Sequence, residues 1–541
     1  MNNVIKQLRS LCKARSYLSI LLGVASGCGG GGDTPLPIVP PTPSQPLQTG
    51  PDPFYGDQWH LYNSSQFSGL LVGEDIDVEP VWSDGIKGRG MLLVVVDDGL
   101  EMGHEDLSAN IAPRKSWDYQ QSDFDPTPVL PESAHGTQVA GIAAARDLNG
   151  VGGRGVAPAV SLAGYNLLWN GGVNSTEIHD AMTRNAVEVA ISNNSWGHGA
   201  GGDGTTEHPG DNLWQEGVAY GVANGRGGKG TIYVWAAGNG GEFGVDNSNY
   251  DYLTNNRHVM AVCAVDGDGV KTYYSEQGAN LWLCAPGGYR NGLTTTDLMG
   301  ARGDNTVGVL HDYTNRNYTK LFAGTSAATP IVSGVVALML EANPNLGWRD
   351  VRLILAESAR KNDACDSDWR VTTPASGEPQ YNINHKYGFG VVDAAAAVAR
   401  AKRWGSNVGV QLQREFPVTM AISIPDGDTT GLQQAVTVAA ANNLIIEYVE
   451  LDVNLVHGDP GELSIVLTAP SGTQSVLAEV HRCTTFTNTC PTTNYSPWTF
   501  GSSRHLGEAS QGSWRLKVVD QQANNEGSLI SWTLRIYGRQ R

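Results

Sequence analysis

Long apolar runs and helix-like stretches follow one another through the middle of the chain. Residues 91–96 form a continuous apolar run, as expected of a strand buried on both faces of a parallel sheet, and the run is followed by Asp97. Another strand is predicted at 231–236. An alanine-rich helix is predicted from His135 to Ala145, and an apolar helix over 331–342. The pattern predicts an α/β domain in which helices flank a parallel sheet.

The pattern changes near Trp404, where helical alanines at 394–397 give way to alternating apolar and polar residues. This period of two is typical of half-buried strands. The alternating apolar positions are Val449, Leu451, Val453 and Leu455; Leu463, Ile465 and Leu467; Trp514, Leu516 and Val518; and Trp532, Leu534 and Ile536. Turn sequences at 458–461 and 470–472 separate the runs. Residues 405–541 are therefore predicted to form an all-β sandwich, most simply a jelly roll.

Residues 1–28 have the pattern of an export signal, with a basic start and a short apolar stretch at 17–24. That stretch is too short to span a bilayer, which takes about 20 apolar residues. Residues 25–28 read Ala-Ser-Gly-Cys and resemble a bacterial lipoprotein cleavage box, so a lipid anchor on Cys28 stays open. A Gly- and Pro-rich linker follows at 29–50. We expect an exported protein, secreted or periplasmic, whose α/β domain occupies 51–404.

The net charge of the chain indicates which classes of ligand it can bind. The 541 residues include 54 Asp and Glu against 36 Lys and Arg, a formal net charge of −18. Binding to a nucleic-acid backbone needs clustered basic residues, so the balance argues against a nucleic-acid partner. An acidic surface favours cationic ligands, such as metal ions or basic peptides.

Seven cysteines fit an exported protein. Cys483 and Cys490 are close enough in sequence to form a disulfide. A second disulfide between Cys263 and Cys284 is possible, and Cys365 would then have no partner. No CxxC motif or His/Cys cluster in the sequence suggests zinc.

Three segments together indicate nucleophilic catalysis. Asp97 ends a predicted buried strand, His135 opens a predicted helix, and Ser326 precedes the apolar helix at 331–342. Sites in open α/β sheets form beyond the carboxyl ends of the strands. A serine at a helix start lies in a field that favours developing negative charge. The order Asp, His, Ser is one of the known orders of the serine triad, in which a carboxylate orients the base of a nucleophilic serine.

Further motifs make the chain similar to a known family from about Asp52 to the C-terminus. They are Trp59-His-Leu61, Asp97-Asp-Gly-Leu100 with His104-Glu-Asp-Leu107, Asn194-Ser-Trp-Gly197, Trp235-Ala-Ala-Gly-Asn-Gly-Gly241, Tyr274-Ser-Glu276 and Tyr387-Gly-Phe-Gly390. These residues resemble the subtilisin-like serine proteases, and within them the kexin/furin branch of proprotein convertases. The resemblance implies a subtilisin-like catalytic domain followed by a P domain.

The resemblance also implies roles for single residues. Asp97 would orient His135, which would act as general base and then general acid, while Ser326 is the nucleophile and Asn239 supplies an oxyanion-hole amide. Cleavage after basic residues, most simply dibasic ones, would follow from acidic subsites. The matching substrate-binding residues are Asp98 and Glu132 at S2, Asp251 and, in a loop longer than the family's, Asp203 at S1, with Ser195, Trp196 and Gly197 beside them.

Two or three calcium ions are implied by the same resemblance, because Ca²⁺ prefers clustered oxygen ligands. One site would use Asp52, Asp106, the Asn149 side chain and the carbonyls of Arg146, Val151 and Gly153. A second would use Asp118, Asp123 and Asp125, for which a solvated acidic loop is the alternative. Asp246 and Glu276 would form part of a third, near S1.

The partners expected are peptides or proteins with basic residues, and a membrane only if Cys28 carries lipid. Between Cys28 and Asp52 there is no room for the folded prodomain that usually precedes such enzymes. Maturation is therefore expected either to depend on a separate chaperone or inhibitor, or to proceed unaided. Two alternatives to a basic-specific protease stay open: a broad-specificity subtilase, because of the altered loop at 199–203, and an inactive protease-fold adhesin.

Overall fold

The computed structural model describes residues 50–169, 174–197, 211–241, 246–405, 408–481 and 494–540. The predicted export signal, the linker up to residue 49, Cys28, Asp203, Cys483 and Cys490 lie outside these ranges. Within them the chain forms an α/β domain followed by an all-β domain, so the predicted fold class is confirmed.

The helices of the described ranges are α1 (Glu79–Ser83), α2 (His135–Ala144), α3 (Ser175–Thr183), α4 (Asn212–Gly228), α5 (Thr325–Ala342), α6 (Trp348–Ser358) and α7 (Ala394–Arg403). The strands of the first domain are β1 (Leu92–Asp97), β2 (Trp117–Asp118), β3 (Ser161–Asn166), β4 (Val189–Asn194), β5 (Ile232–Ala236), β6 (Val259–Val265), β7 (Leu283–Pro286), β8 (Leu293–Thr296), β9 (Tyr318–Phe322), β10 (Arg370–Val371) and β11 (Asn382–Ile383). Those of the second are β12 (Leu412–Ile424), β13 (Leu432–Val438), β14 (Ile445–His457), β15 (Leu463–Thr468), β16 (Gln474–Ala478), β17 (Asn494–Ser502), β18 (Gly512–Asp520) and β19 (Gly527–Arg539).

A parallel sheet of seven strands forms the centre of the first domain, in the order β2-β3-β1-β4-β5-β6-β7. Every residue of β1 is buried, as its continuous apolar sequence predicts. Val96 pairs with Asn194, and Asn194 pairs with Trp235, so β1, β4 and β5 end side by side. This common edge positions the candidate site.

Helix α5 runs through the core of the first domain. It is long and apolar enough to cross a membrane by length and hydropathy, but 89% of it is buried inside the domain. It contacts the central strands β4, β5, β6 and β7 and the helix α2. Both its length and its apolar composition are therefore explained by its place in the core.

The second domain is a sandwich of two antiparallel sheets, β12-β19-β14-β17 and β13-β18-β15-β16. The predicted alternation is confirmed, because Trp514, Leu516 and Val518 on β18 are fully buried. Leu516 pairs with Leu467 of β15, which is buried as well. Alternate positions of these strands therefore form the core between the sheets.

A disulfide joins Cys263 on β6 to Cys284 on β7, two residues that pair directly across neighbouring strands. The expectation that Cys365 is left over is wrong, because Cys365 is also disulfide-bonded. Its partner lies outside the described residues. Sequence spacing does not reveal such a pair, because folding and not spacing brings its two cysteines together.

Candidate active site

The predicted catalytic residues come together at the carboxyl edge of the central sheet. Asp97 is the last residue of β1, and Ser195 directly follows the neighbouring strand β4. Asn239 follows β5, the next strand along. His135 is the first residue of α2, and Ser326 lies in the first turn of α5. Neighbouring strands are about 4.8 Å apart, so these side chains share a small region.

Asp97 and His135 are in direct contact. His135 Nδ1 lies 2.8 Å from Asp97 Oδ1, and the Asp97 side chain is buried while that of His135 is about a third exposed. Burial alone would lower the pKa of His135, but the nearby negative charges of Asp97, Asp98 and Asp304 and the hydrogen bond to Asp97 raise it above its usual value. His135 is thus oriented by one carboxylate and made more basic by several.

Asp98 lies beside this pair at the start of α2. Its carboxylate accepts hydrogen bonds from the backbone N–H groups of His135 and Gly136, at 3.3 and 2.7 Å. Burial and the adjacent Asp97 carboxylate raise the pKa of Asp98, while His135 and the two backbone donors oppose the rise. The side chain is therefore tied to the helix that carries the base.

Ser326 and Ser195 form a reciprocal pair. The Ser326 hydroxyl donates to the Ser195 carbonyl oxygen at 2.9 Å, and the Ser195 hydroxyl donates to the Ser326 carbonyl oxygen at 3.0 Å. Pro330, inside α5, has no N–H to bond the Ser326 carbonyl four residues earlier, which leaves that oxygen for Ser195. Within the described residues, the Ser326 hydroxyl has no hydrogen bond to His135. The hydroxyl of Ser326, the candidate nucleophile, is therefore oriented toward the Ser195 carbonyl oxygen.

Two hydrogen-bond donors converge beside Gly324. The Asn239 side-chain oxygen accepts from the Thr325 N–H and hydroxyl at 2.9 and 3.0 Å, which fixes the orientation of the amide. A Cβ placed on Gly324 would lie 3.5 Å from both Asn239 Nδ2 and the Ser326 backbone nitrogen. Gly324 has φ +114°, a conformation that side chains rarely adopt. The two donor nitrogens therefore lie around one point beside Gly324, where an oxyanion hole would need them.

Two of the predicted S1 residues, Gly197 and Asp251, lie close together. A Cβ on Gly197 would be 3.3 Å from Asp251 Oδ2, so the Ser195–Gly197 segment passes over Asp251. The Trp196 indole donates to the Val96 carbonyl oxygen at 3.0 Å, which anchors the segment to β1. Glu132, the second S2 candidate, is exposed. Asp203 is outside the described residues.

The second domain supports the segment that carries Asp251. The Asn249 side chain exchanges two hydrogen bonds with the Gly501 backbone, at 2.9 and 2.8 Å. The Trp498 indole donates to the Asn249 carbonyl oxygen at 3.0 Å, and the Tyr448 hydroxyl donates to the Asn255 carbonyl oxygen at 3.0 Å. The all-β domain thus holds one wall of the candidate S1 pocket.

Buried carboxylates at two of the three expected calcium sites fit a bound cation. Asp106 is fully buried, and burial and the nearby Asp52 carboxylate raise its pKa well above the usual value, although Asn149 and Gly153 donate to it. Asp246 and Glu276 are buried together, and burial followed by the Glu276 charge raises the pKa of Asp246. A divalent cation would neutralise the Asp246–Glu276 pair. At the first site Asp52 already pairs with the Arg154 guanidinium at 2.6 Å, so Asp106 is the carboxylate there that a cation would neutralise.

The remaining set of expected calcium ligands, Asp118, Asp123 and Asp125, fits a bound cation less completely. Asp118 has a buried oxygen without a hydrogen bond, but Asp123 and Asp125 use carboxylate oxygens to accept backbone N–H groups of their own loop. Within the described ranges, three or more His, Cys, Asp or Glu side chains nowhere form a cluster able to hold a metal ion. Calcium at any of the three sets would need amide or backbone oxygens as well, and the set of three aspartates stays a prediction from the resemblance.

Sequence reasoning missed residues that act on the site from a distance. Thr325 orients Asn239, and Asp304 raises the pKa of His135. Asp304 is held by the Gln138 side chain, one turn along α2 from His135, at 2.8 Å. A residue one helical turn from a catalytic histidine is a signal that could have directed attention to this face of α2.

Comparisons with known proteins identify the family of each domain. Residues 88–390 match the Subtilase family, and residues 446–536 match the Proprotein convertase P-domain. Protease KEX1 of Kluyveromyces lactis is 34% identical over 495 residues, 90% of this chain and 60% of that protein. Kexin of Saccharomyces cerevisiae is 33% identical over 497 residues, 90% of this chain and 56% of that protein. The chain thus spans about three fifths of the length of these curated relatives.

A solved structure covers both domains. The Aeromonas sobria serine protease, determined in complex with its chaperone, is 27% identical and superposes with a TM-score of 0.82, covering 91% of this chain and 96% of that one. The family match extends over more than half of the sequence, and the structural match includes the P domain. The chain therefore belongs to the subtilase family of serine endopeptidases and is related, through its P domain as well, to the kexin and furin proprotein convertases.

Proposed function

We propose that this protein is an exported, calcium-dependent serine endopeptidase that cleaves peptide bonds after basic residues. The observation that carries the proposal is the meeting at one sheet edge of the Asp97–His135 pair, the Ser326 hydroxyl and two donors that face a common point. An inactive adhesin would have no physical need for all of these groups together. Asp98, Glu132 and Asp251 would supply the preference for basic side chains.

In the proposed mechanism, the Ser326 side chain turns from the Ser195 carbonyl oxygen toward the imidazole of His135. The rotation breaks one hydrogen bond of 2.9 Å. Ser326 attacks the scissile carbonyl as His135 takes its proton, and Asp97 holds the imidazole in the correct tautomer. Asn239 Nδ2 and the Ser326 N–H stabilise the oxyanion. His135 then protonates the leaving amine, and water hydrolyses the acyl-enzyme through a second oxyanion.

Asp251, below Gly197, would pair with an arginine or lysine side chain at P1, and Asp98 and Glu132 would face a basic residue at P2. A carboxylate beside a substrate side chain favours a cation there, because the two opposite charges attract. Asp98 is tied to the start of α2, which fixes its carboxylate next to the general base.

Bound calcium would supply positive charge to buried carboxylates and cross-link the loops that carry them. Asp52, Asp106 and Asn149, with the carbonyls of Arg146, Val151 and Gly153, would hold one ion, and Asp246 with Glu276 part of another. Gly238 and Gly240 lie against Glu276 and Asp246, since a Cβ on either would come within 2.3 Å of a carboxylate oxygen. The second of these sites would therefore stabilise the loop of Asn239.

We also propose that folding uses a separate chaperone and that the mature domains are 51–404 and 405–541, preceded by a signal at 1–28 and a linker at 29–50. The chaperone complex of the Aeromonas sobria protease supports the first part. Co-expression with and without such a chaperone tests it, and a full yield of active enzyme from the chain alone would contradict it.

The proposed activity is tested with a peptide library varied at P1 and P2, with and without a calcium chelator, and with Ser326→Ala as the control. We expect cleavage after Arg and Lys that the chelator weakens and Ser326→Ala abolishes. Equal cleavage after neutral residues would favour a broad-specificity subtilase. Cleavage that persists in Ser326→Ala would contradict the mechanism.

A further inference from the structure

A polar cleft of about 570 Å³ lies between the catalytic domain and the P domain. Asp368, Arg370 and His385 line it from the catalytic domain, and Glu479 and Arg504 line it from the P domain. The proposed catalytic residues are not among its lining residues. The cleft is therefore separate from the site described above.

Arg504 is the exceptional residue in this cleft. It is only 9% exposed, yet its guanidinium donates no hydrogen bond to any described residue and its buried Nε has no partner. Burial lowers the pKa of Arg504 to about 10, with Asp368 opposing and Arg370 adding to the effect. A largely buried charge without a partner is unfavourable, so an anion that entered the cleft would be stabilised by this guanidinium.

The cleft's own acidic groups are already paired. Glu479 accepts from the Gln277 side chain at 2.8 Å and contacts His385 Nε2 at 3.1 Å. Asp368 lies 3.2 Å from the Lys386 ammonium. In the described part of the chain, neither approaches Arg504 within ion-pair distance, while Arg370 adds a second positive charge at the exposed side.

We propose that this cleft binds a carboxylate, held by the Arg504 guanidinium and assisted by Arg370. The planar guanidinium fork matches the two oxygens of a carboxylate. Asp368 and Glu479, although each contacts another side chain, disfavour a doubly charged phosphate more than a singly charged carboxylate. The volume accepts a small free acid or the C-terminal carboxylate of a peptide. Either would link the two domains, because its neighbours come from both.

The binding test uses the full chain with Ser326→Ala, so that peptides stay intact. Thermal unfolding and calorimetric titration are measured at constant ionic strength with sodium acetate, a short neutral peptide with a free C-terminus, the same peptide amidated, sodium phosphate and sodium chloride. We expect saturable binding and a raised unfolding temperature with the free-acid peptide and none with its amide. If acetate also binds saturably, the carboxylate group alone is sufficient for binding. Absence of saturable carboxylate binding, or equal binding of phosphate or chloride, would overturn the proposal.

Variants then locate the site. Arg504→Gln is expected to weaken carboxylate binding about 10- to 100-fold, the range for a lost charged hydrogen-bonding pair, without lowering the unfolding temperature of the ligand-free protein. Arg515→Gln, at an exposed arginine of β18, removes the same charge as a matched control and should leave binding unchanged. Arg504→Lys keeps the charge but loses the fork, and it provides the same readout if the glutamine variant does not fold. Unchanged binding in both Arg504 variants, or an equal loss in Arg515→Gln, would refute the site.

Discussion

Replacing Asn239 is expected to slow peptide hydrolysis while leaving substrate binding nearly unchanged. Two donors face the point beside Gly324, namely Asn239 Nδ2 and the Ser326 N–H, and Asn239→Ala removes one of them. The loss of one such donor costs about 2.7–4 kcal/mol, or about 10²- to 10³-fold in kcat, as measured in subtilisin, a relative of this chain. We expect the same range here, with KM changed little because the oxyanion forms only in the transition state.

Asn239→Asp is the matched variant that separates catalysis from folding. Alanine also leaves the Thr325 N–H and hydroxyl without their acceptor, which costs about 1–3 kcal/mol of stability. Aspartate keeps that acceptor but replaces the donor by a carboxylate oxygen, so kcat should fall at least as far while stability falls less.

The assay measures kcat and KM on a chromogenic peptide with arginine at P1, together with the unfolding temperature. A kcat within about threefold of wild type in both variants would refute the assignment of the oxyanion hole. A fall in kcat that only follows the fraction of folded protein would refute it as well.

Further predictions concern the base, the metal and the P domain. Because His135 acts as a base only when neutral, activity is lost as pH falls through its raised pKa; Asp98→Asn removes one of the charges that raise that pKa and should move the acid limb of kcat/KM to lower pH. An unmoved acid limb would count against this. A chelator should lower both activity and unfolding temperature, and excess Ca²⁺ should restore both. Deleting 406–541 should remove soluble active enzyme, since Trp498 and Gly501 hold Asn249 beside Asp251; a stable, active shortened chain would disprove this.

The sequence predicted those strands and helices in which burial determines the positions of the apolar residues. The apolar run at 91–96 became β1 at Leu92–Asp97, because a strand covered on both faces needs apolar residues at every position. The order of Asp97, His135 and Ser326 along the chain could be interpreted as that of a catalytic triad, because each residue lies at the end or near the start of a predicted strand or helix. Helix α5, however, begins at Thr325 and includes Pro330, since Ser195 satisfies the carbonyl that the proline leaves free.

Other features depend on contacts between distant segments, which no local pattern encodes. The bond from Thr325 to Asn239 spans 86 positions, and the P-domain contact of Gly501 with Asn249 spans 252. The pairing of Cys365 is of the same kind. The turn of the Ser326 hydroxyl toward Ser195 also depends on side-chain packing that sequence spacing does not specify.

If the proposed mechanism holds, Ser326 is a nucleophile activated by His135. Treating the folded, calcium-loaded protein with a serine-directed fluorophosphonate and mapping the product by mass spectrometry tests this directly. We expect one adduct, on Ser326, formed in wild type and in Arg515→Gln but not in Ser326→Ala or His135→Ala. Peptide cleavage without any adduct on Ser326, or an adduct that forms equally well without His135, would contradict it.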